Sequence, residues 1–322
     1  MSLNGIILVN KPQGVGPFDC TYKVREVLKT KQVSHIEALE PRVEGVLPIF
    51  TGKATKLLRL FKGGIREYLC EVTLGYSTVT EDITGEIVDQ KIIKRKPSVR
   101  QVEKVLTGMV GPHSQIAPMY SAALFEGKKL HLYEQEGIKI PAEKRPIREI
   151  EVLDIGLQTE IVRTEADLVT FSCYVKCTDG TFIRSLAAEI GEKLGYPAHM
   201  SYLKRLSVDS FNLSDAADYE TLSMRLSLLV ASGKSNFSLR DKKQTWFIPF
   251  SDALAPYERI TVDEKMVQLA KKGRRIPCEQ ATFERKDAEP FIILSATGEM
   301  LAVYALEGNL GRYHALSVLV ET

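Results

Sequence analysis

The sequence predicts an α+β fold: a mixed sheet flanked by helices, followed by a smaller β-rich C-terminal module. Three observations predict it. Strand and helix patterns alternate through roughly the first 210 residues, without the glycine-rich phosphate loop of a dinucleotide-binding fold. Beyond about residue 245 the pattern shifts to short strands joined by tight turns. A chain of 322 residues can bury one large core and a second, smaller one. The expected division is 1–245 and 246–322.

Gly5-Ile6-Ile7-Leu8-Val9 is an apolar strand stopped by Lys11-Pro12 and the glycines that follow. From Thr51, apolar Ala54, Leu57, Leu58 and Phe61 recur at helical spacing, and Gly63-Gly64 supplies a stop. Alternation then places Tyr68, Cys70, Val72 and Leu74 on one side of a strand. After Pro97, Ser98 with Gln101 forms a capping box for a helix whose core stripe is Val99, Val102, Leu106 and Met109. A strand over 168–177 leads through Asp179-Gly180-Thr181 into a helix carrying Ile183, Leu186, Ala187, Ile190 and Leu194 inward, closed by Gly195. Ala231-Ser232-Gly233-Lys234-Ser235-Asn236 has the composition of a linker. Then come a helix capped at Thr261 with Glu264 in the box position, a basic loop, and a hairpin of 291–294 with 300–304 around Ala296-Thr297-Gly298-Glu299. Leu316–Val320 is the last strand.

Hydrophobic residues make up 44% and charged residues 26%, as in an ordinary globular protein. The net charge of +2 does not by itself announce nucleic acid. Basic residues nevertheless cluster at Lys94-Arg95-Lys96, Lys242-Lys243 and Lys271-Lys272-Gly273-Arg274-Arg275, and a local basic face is what phosphate binding needs. Five cysteines without a CxxC pair argue against a disulfide framework and a zinc site; Cys173 and Cys177 share one strand face as small core residues. The five histidines are scattered, so no metal is expected. No signal peptide or membrane-spanning run is apparent, and no coiled-coil heptads, so a cytoplasmic monomer is the expectation.

Read as residues alone, Glu37, Glu40 and Glu44 between His35 and Gly45 are either a solvated acidic loop or the carboxylates of a site. Arg184 sits in the first turn of its helix. A cation there is electrostatically misplaced unless an anion compensates. Tyr68 can bury its ring in the core while its hydroxyl reaches a polar pocket.

The stretch Val33-Ser34-His35-Ile36-Glu37-Ala38-Leu39-Glu40-Pro41-Arg42-Val43-Glu44-Gly45-Val46-Leu47-Pro48-Ile49 resembles the signature of the bacterial tRNA pseudouridine-55 synthases, the TruB family. The resemblance continues through Gly52-Lys53-Ala54-Thr55-Lys56, residues 73–85, residues 115–122, Asp179-Gly180-Thr181-Phe182-Ile183-Arg184-Ser185-Leu186 and Gly195-Tyr196-Pro197-Ala198-His199-Met200. Blocks in one order across some 210 residues are far more specific than any single motif. The C-terminal part is similar, less closely, to the PUA-type RNA-binding module. The resemblance implies the pseudouridine synthase fold, with a mixed, largely antiparallel sheet flanked by helices, and cofactor-free isomerisation of a uridine in the T loop of tRNA. It implies a catalytic carboxylate at Glu40, an arginine paired with it through two parallel hydrogen bonds at Arg184, and a tyrosine stacked on the base at Tyr68. His35 and Phe182 fall at positions that handle the flipped nucleotide. Lys271, Lys272, Arg274 and Arg275 are the expected RNA contacts of the C-terminal module.

Departures gather near the site. Glu40 stands where the family has aspartate, Ile36-Glu37-Ala38 where Thr-Gly-Thr is usual, Gly16-Pro17 where Thr-Ser is usual, Leu124 where lysine is common and Phe182 where tyrosine is usual. An added methylene moves a carboxylate by about an ångström, a displacement that can cost on the order of a hundredfold in rate. The alternative function is therefore a tRNA-binding or RNA-folding protein on the same scaffold, with its catalytic site impaired.

Overall fold

The strand Gly5–Lys11 is paired along its whole length with Glu44–Thr51, Gly5 opposite Thr51 and Lys11 opposite Gly45. In the computed structural model, which describes residues 3–36, 38–61, 64–231, 245–285, 287–307 and 310–320, this pair nucleates a twelve-stranded sheet. Glu37, Gly63, most of the linker stretch and the Lys242-Lys243 pair lie outside the described residues. From one edge the main path runs Ala217–Asp218, Gly5–Lys11, Glu44–Thr51, Ala198–Val208, Ile65–Leu74, Val169–Thr178, Ile147–Leu157 and Gly111–Ile116. Two of these pairings are parallel, Gly5–Lys11 with Ala217–Asp218 and Glu44–Thr51 with Ala198–Val208; the rest are antiparallel. The sheet is mixed, as the patterning predicts, and largely antiparallel, as the resemblance implies.

Alternation explains why Ile6–Val9 is apolar at every position. Ile7 and Val9 face one core with Leu47 and Ile49, while Ile6 and Leu8 face a second with Val46 and Phe50. The first core is closed by helices Pro17–Leu28 and Ile183–Lys193, and it holds Cys70, Cys173 and Cys177. The second is closed by the small C-terminal sheet, which contributes Ile292, Val303 and Leu319.

That small sheet has five strands in the order Glu258–Thr261, Phe291–Leu294, Met300–Leu306, Arg312–Val318, Ile276–Pro277, with helix Glu264–Lys271 against it. The predicted hairpin forms, Phe291 opposite Tyr304. The chain does not leave the large sheet at residue 246: Phe247–Pro249 adds a strand against Gly5–Ile7. Lys56 ties the two sheets, donating to the Val320 carbonyl at 2.8 Å while its own carbonyl accepts from Ser317 Oγ at 2.5 Å.

Three local expectations are corrected. Residues Gly52–Phe61 form a 3₁₀ rather than an α-helix. Its three-residue turn eclipses side chains at i and i+3, so Ala54, Leu57 and Leu60 share one row against the core. The cap of the later helix is Asp263, whose carboxylate accepts from Met266 N at 2.9 Å, not Thr261. Val99 is 50% exposed, because its helix turns Val102, Val105 and Leu106 inward, with Met109 just beyond its end, although the Ser98–Gln101 capping box forms as predicted. No described helix is long and apolar enough to cross a membrane.

Candidate active site

Strand order brings the candidate residues together. Tyr68 lies opposite Arg205 on one neighbouring strand and Val175 on the other. Arg205 in turn lies beside Gly45, so the loop that precedes Glu44 is delivered next to Tyr68. Strand Val169–Thr178 ends on the same side, and its turn Asp179–Phe182 starts the helix that carries Arg184. Gly45 permits this crowding: its φ is +117°, and a Cβ there would meet the Arg205 carbonyl oxygen at 2.1 Å.

The loop is pinned from below. Leu39 and Val43 are buried on either side of Glu40, and Val43 N donates to the Glu40 carbonyl at 2.9 Å. Lys11 is fully buried, and its ammonium donates to the carbonyls of Val15, Pro12 and Pro41 at 2.7, 3.1 and 3.3 Å. Burial holds its pKa below the ordinary lysine value, so these carbonyls supply the solvation that water would give. Pro41 also accepts from Gly14 N at 2.8 Å.

On this base the Glu40 side chain is 57% exposed, and its Oε1 meets Arg184 Nη2 at 3.2 Å. The contact is single, not the expected pair of parallel bonds. The reason is that the guanidinium is already engaged. Nη2 also donates to the Tyr120 carbonyl at 2.7 Å, and Nη1 to the Thr80 carbonyl at 3.3 Å and Asp82 Oδ2 at 3.5 Å.

Asp82, which the sequence did not single out, is thus a third member of the constellation. Its Oδ1 accepts from Thr80 Oγ1 at 2.8 Å, Thr84 N at 2.8 Å and Thr84 Oγ1 at 2.5 Å. Burial pushes its pKa up, but bonds from Thr84 and Thr80 and the nearby Arg184 outweigh that and hold it below the ordinary aspartate value. The Thr-x-Asp-x-Thr spacing over 80–84, which supplies hydroxyls two residues either side of a carboxylate, is the signal that could have found it.

Glu40, Tyr68, Phe182, Arg184 and Arg205 line one open cavity of about 370 Å³, within the size range of small-ligand sites. Tyr68 packs against the main core and also lines this cavity. Burial raises its phenol pKa, against the pull of Arg205. Arg205 is fully buried, donates to the Val46 carbonyl at 2.8 and 3.0 Å, and has its pKa lowered by burial to about 10. Phe182 is fixed at its backbone by Gln115, whose side-chain oxygen accepts from Phe182 N at 2.8 Å. Glu44 does not face this cavity as a free carboxylate; it accepts from the Tyr202 hydroxyl at 2.8 Å and pairs with Lys204 at 3.6 Å.

His35 does not line the Glu40 cavity. It lines a second cleft, of about 790 Å³, with Lys56 and Arg59 on one wall and Lys272 and Ser317 on the other. Its Nδ1 lies 2.8 Å from the Thr21 hydroxyl, and the exposed Phe18 ring packs edge-on against it at 5.1 Å. Of the basic loop, Lys272 faces this cleft, Lys271 pairs with Glu299 at 3.8 Å, Arg275 pairs with Glu307 at 3.3 Å, and Arg274 is exposed.

Chemically, the cavity offers a carboxylate held by a fixed cation, aromatic rings in its lining and room for a small ligand group. The sequence model of the TruB family pseudouridylate synthase N-terminal domain matches residues 25–183, and that of the tRNA pseudouridylate synthase B C-terminal domain matches 184–242. The tRNA pseudouridine synthase B of Bacillus subtilis (strain 168) is 36% identical over 302 residues, covering 94% of this chain and 93% of that protein. That of Bacillus velezensis is 37% identical over 305 residues, with 94% and 93% covered. Among solved structures, a chain of a Cbf5–Nop10–Gar1 complex superposes with a TM-score of 0.64 at 20% identity, covering 99% of this chain and 84% of that one. A chain of an archaeal box H/ACA sRNP Nop10–Cbf5 complex does so at 0.64 and 17%, with 99% and 86% covered. These likenesses are of fold.

Proposed function

The chain belongs to the TruB family of pseudouridylate synthases, and on that premise we propose that it converts uridine 55 in the T loop of tRNA to pseudouridine, using Glu40 as its carboxylate. The single observation that carries the assignment of Glu40 is its 3.2 Å contact with Arg184 at the mouth of the cavity that Tyr68 lines. Isomerisation breaks the C1′–N1 bond, joins C1′ to C5, and exchanges the C5 proton for one on N1. Atoms balance within the nucleotide, so the reaction calls for no co-reactant.

Each role follows from position. The target base leaves its stack, at a cost of a few kcal/mol, and Tyr68 and Phe182 offer apolar faces that offset part of it. The Glu40 carboxylate attacks C1′ of the extruded nucleotide as the C1′–N1 bond breaks, and is released when C5 of the turned uracil bonds to C1′. Arg184, anchored by Asp82 and two carbonyls, keeps that carboxylate aimed without itself moving. Residues 246–322 act as an RNA-binding module in addition to a catalytic unit over 1–245, the strand Phe247–Pro249 serving as the tie between them. Lys272 and Arg274 contact the substrate backbone, while His35 meets RNA at the cleft it shares with Lys272. The protein acts as a monomer, and the T stem-loop is the part of tRNA that enters the Glu40 cavity.

The test follows the proton. Unmodified tRNA carrying tritium at uridine C5 is incubated with the purified protein, and tritium released to water is counted. Release of one equivalent per tRNA, lost when uridine 55 alone is replaced by cytidine, supports the assignment. Salt-sensitive binding without release would instead leave an RNA-binding protein.

A further inference from the structure

A second concentration of positive charge lies away from the Glu40 cavity. Between residues 91 and 104 the chain places Lys91, Lys94, Arg95, Lys96, Arg100 and Lys104 against one acid, Glu103. The fold gathers part of this run into a cleft of about 660 Å³. One wall is Arg95, Lys96 and Ser98 with Lys104 from the helix Val99–Thr107; the other is Lys193 and Tyr196 at the end of helix Ile183–Lys193.

The walls are built rather than loose. The Tyr196 hydroxyl donates to the Arg95 carbonyl at 3.3 Å, and Lys91 donates to the Gly195 carbonyl at 2.8 Å. Lys96 donates to the Ile161 carbonyl at 2.9 Å. The capping box at Ser98 and Gln101 fixes the start of the helix that carries Lys104. Lys193 has a carboxylate neighbour, Glu189 at 3.4 Å, whereas the Arg95 and Lys104 side chains are exposed and meet no carboxylate among the described residues. Like charges held this close repel one another, and an anion in the cleft relieves that repulsion.

The connection to the catalytic cavity is covalent and rigid. Arg184 and Lys193 belong to one helix, nine residues apart, which separates them by about 14 Å along its axis. The segment that supplies Thr80 and Asp82 to Arg184 continues directly into Lys91, Arg95 and Lys96. Nine residues are two and a half turns, so the two side chains leave opposite sides of the helix, and an RNA reaches both places by passing around it.

We propose that the cleft of Arg95, Lys96, Lys104 and Lys193 is a second phosphate-binding surface, which holds the sugar–phosphate backbone of the substrate RNA outside the stem-loop that enters the Glu40 cavity. This rests on the assignment of an RNA substrate above. Phosphate contacts of this kind position without reading sequence, so the surface adds affinity and orientation, not choice of uridine.

The test compares the full chain with the double variants Arg95→Gln/Lys104→Gln and Arg95→Glu/Lys104→Glu, using full-length unmodified tRNA and an isolated T stem-loop. Affinities are measured between 50 and 200 mM salt, with thermal unfolding as the check on integrity. Each lost phosphate contact lowers the slope of log affinity against log salt by about one, so the glutamine pair lowers it by about two for tRNA and weakens binding by about tenfold at low salt. The stem-loop is bound and converted as before. Unchanged affinity and slope for full-length tRNA in either folded variant overturns the proposal, and so does an equal loss on the stem-loop. Should the parent protein convert neither RNA, the catalytic assignment fails, while the binding comparison still decides this surface.

Discussion

Asp82 stands behind Arg184, its Oδ2 3.5 Å from Nη1, with the two side chains only 12% and 13% exposed. Glu40, at 57%, meets the same guanidinium from the solvent side. The cation is thus held by a buried anion and presented to an accessible one. The Asp82→Asn variant keeps the shape but removes the charge and one acceptor. It is expected to slow single-turnover tritium release by about tenfold to a hundredfold with little change in tRNA affinity. Thermal stability falls as well, because Thr80 and Thr84 lose part of a fully used acceptor, a change of about 1–3 kcal/mol.

The pH dependence of stability carries a sign. Burial raises the Glu81 pKa, and the Ser185 hydroxyl, which donates to it at 2.5 Å, opposes that only in part, with Arg184 and Arg145. A carboxyl whose folded pKa exceeds its unfolded value of 4.5 adds stability below 4.5, and that stability is lost as pH rises through the folded value. Glu81→Gln is therefore expected to raise the unfolding midpoint at pH 7 by about 1–3 °C and to leave it unchanged near pH 4. His35 has the opposite sense. Burial, then Arg25 and Arg205, lower its pKa from 6.5, so its neutral form is favoured and stability falls as pH drops below 6.5.

Lys271 and Arg275 already have the carboxylate partners Glu299 and Glu307, whereas Lys272 lines the His35 cleft. Removing Lys272 and Arg274 together is expected to reduce the salt slope of tRNA binding by about two, and removing Lys271 and Arg275 by less. Fluorescence anisotropy over a salt series separates the pairs.

Gly45 is expected to tolerate no side chain. A Cβ placed 2.1 Å from the Arg205 carbonyl oxygen, at φ +117°, forces two paired strands apart. Gly45→Ala is expected to lose about 3 kcal/mol or more, or to fail to fold, as read by denaturant unfolding.

Much of this architecture is legible in the residues. The alternation through Tyr68–Leu74, the capping box at Ser98 and the inward stripe from Ile183 report local periodicity, which the sheet and helix cores then use. Arg184 at the start of its helix signals a missing anion, and the fold supplies two. What periodicity does not carry is distance. The single rather than double bond to Glu40 depends on Tyr120 and Thr80 carbonyls from remote segments, and the cleft that His35 lines draws its walls from both the helix Gly52–Phe61 and the small sheet. The 3₁₀ form of that helix escapes prediction for a related reason: Ala54 and Leu57 fit either period, and Leu58, Leu60 and Phe61 all pack against the second core, so the side-chain pattern does not choose between them.

Single-turnover tritium release by Glu40→Gln, measured beside tRNA affinity, tests the assigned carboxylate most directly. The amide keeps the size of the side chain and its reach toward Arg184 but cannot serve as a carboxylate nucleophile. Release at least a thousandfold slower is expected, with affinity within about twofold of the parent. Release within a few-fold of the parent rate would contradict the assignment of Glu40.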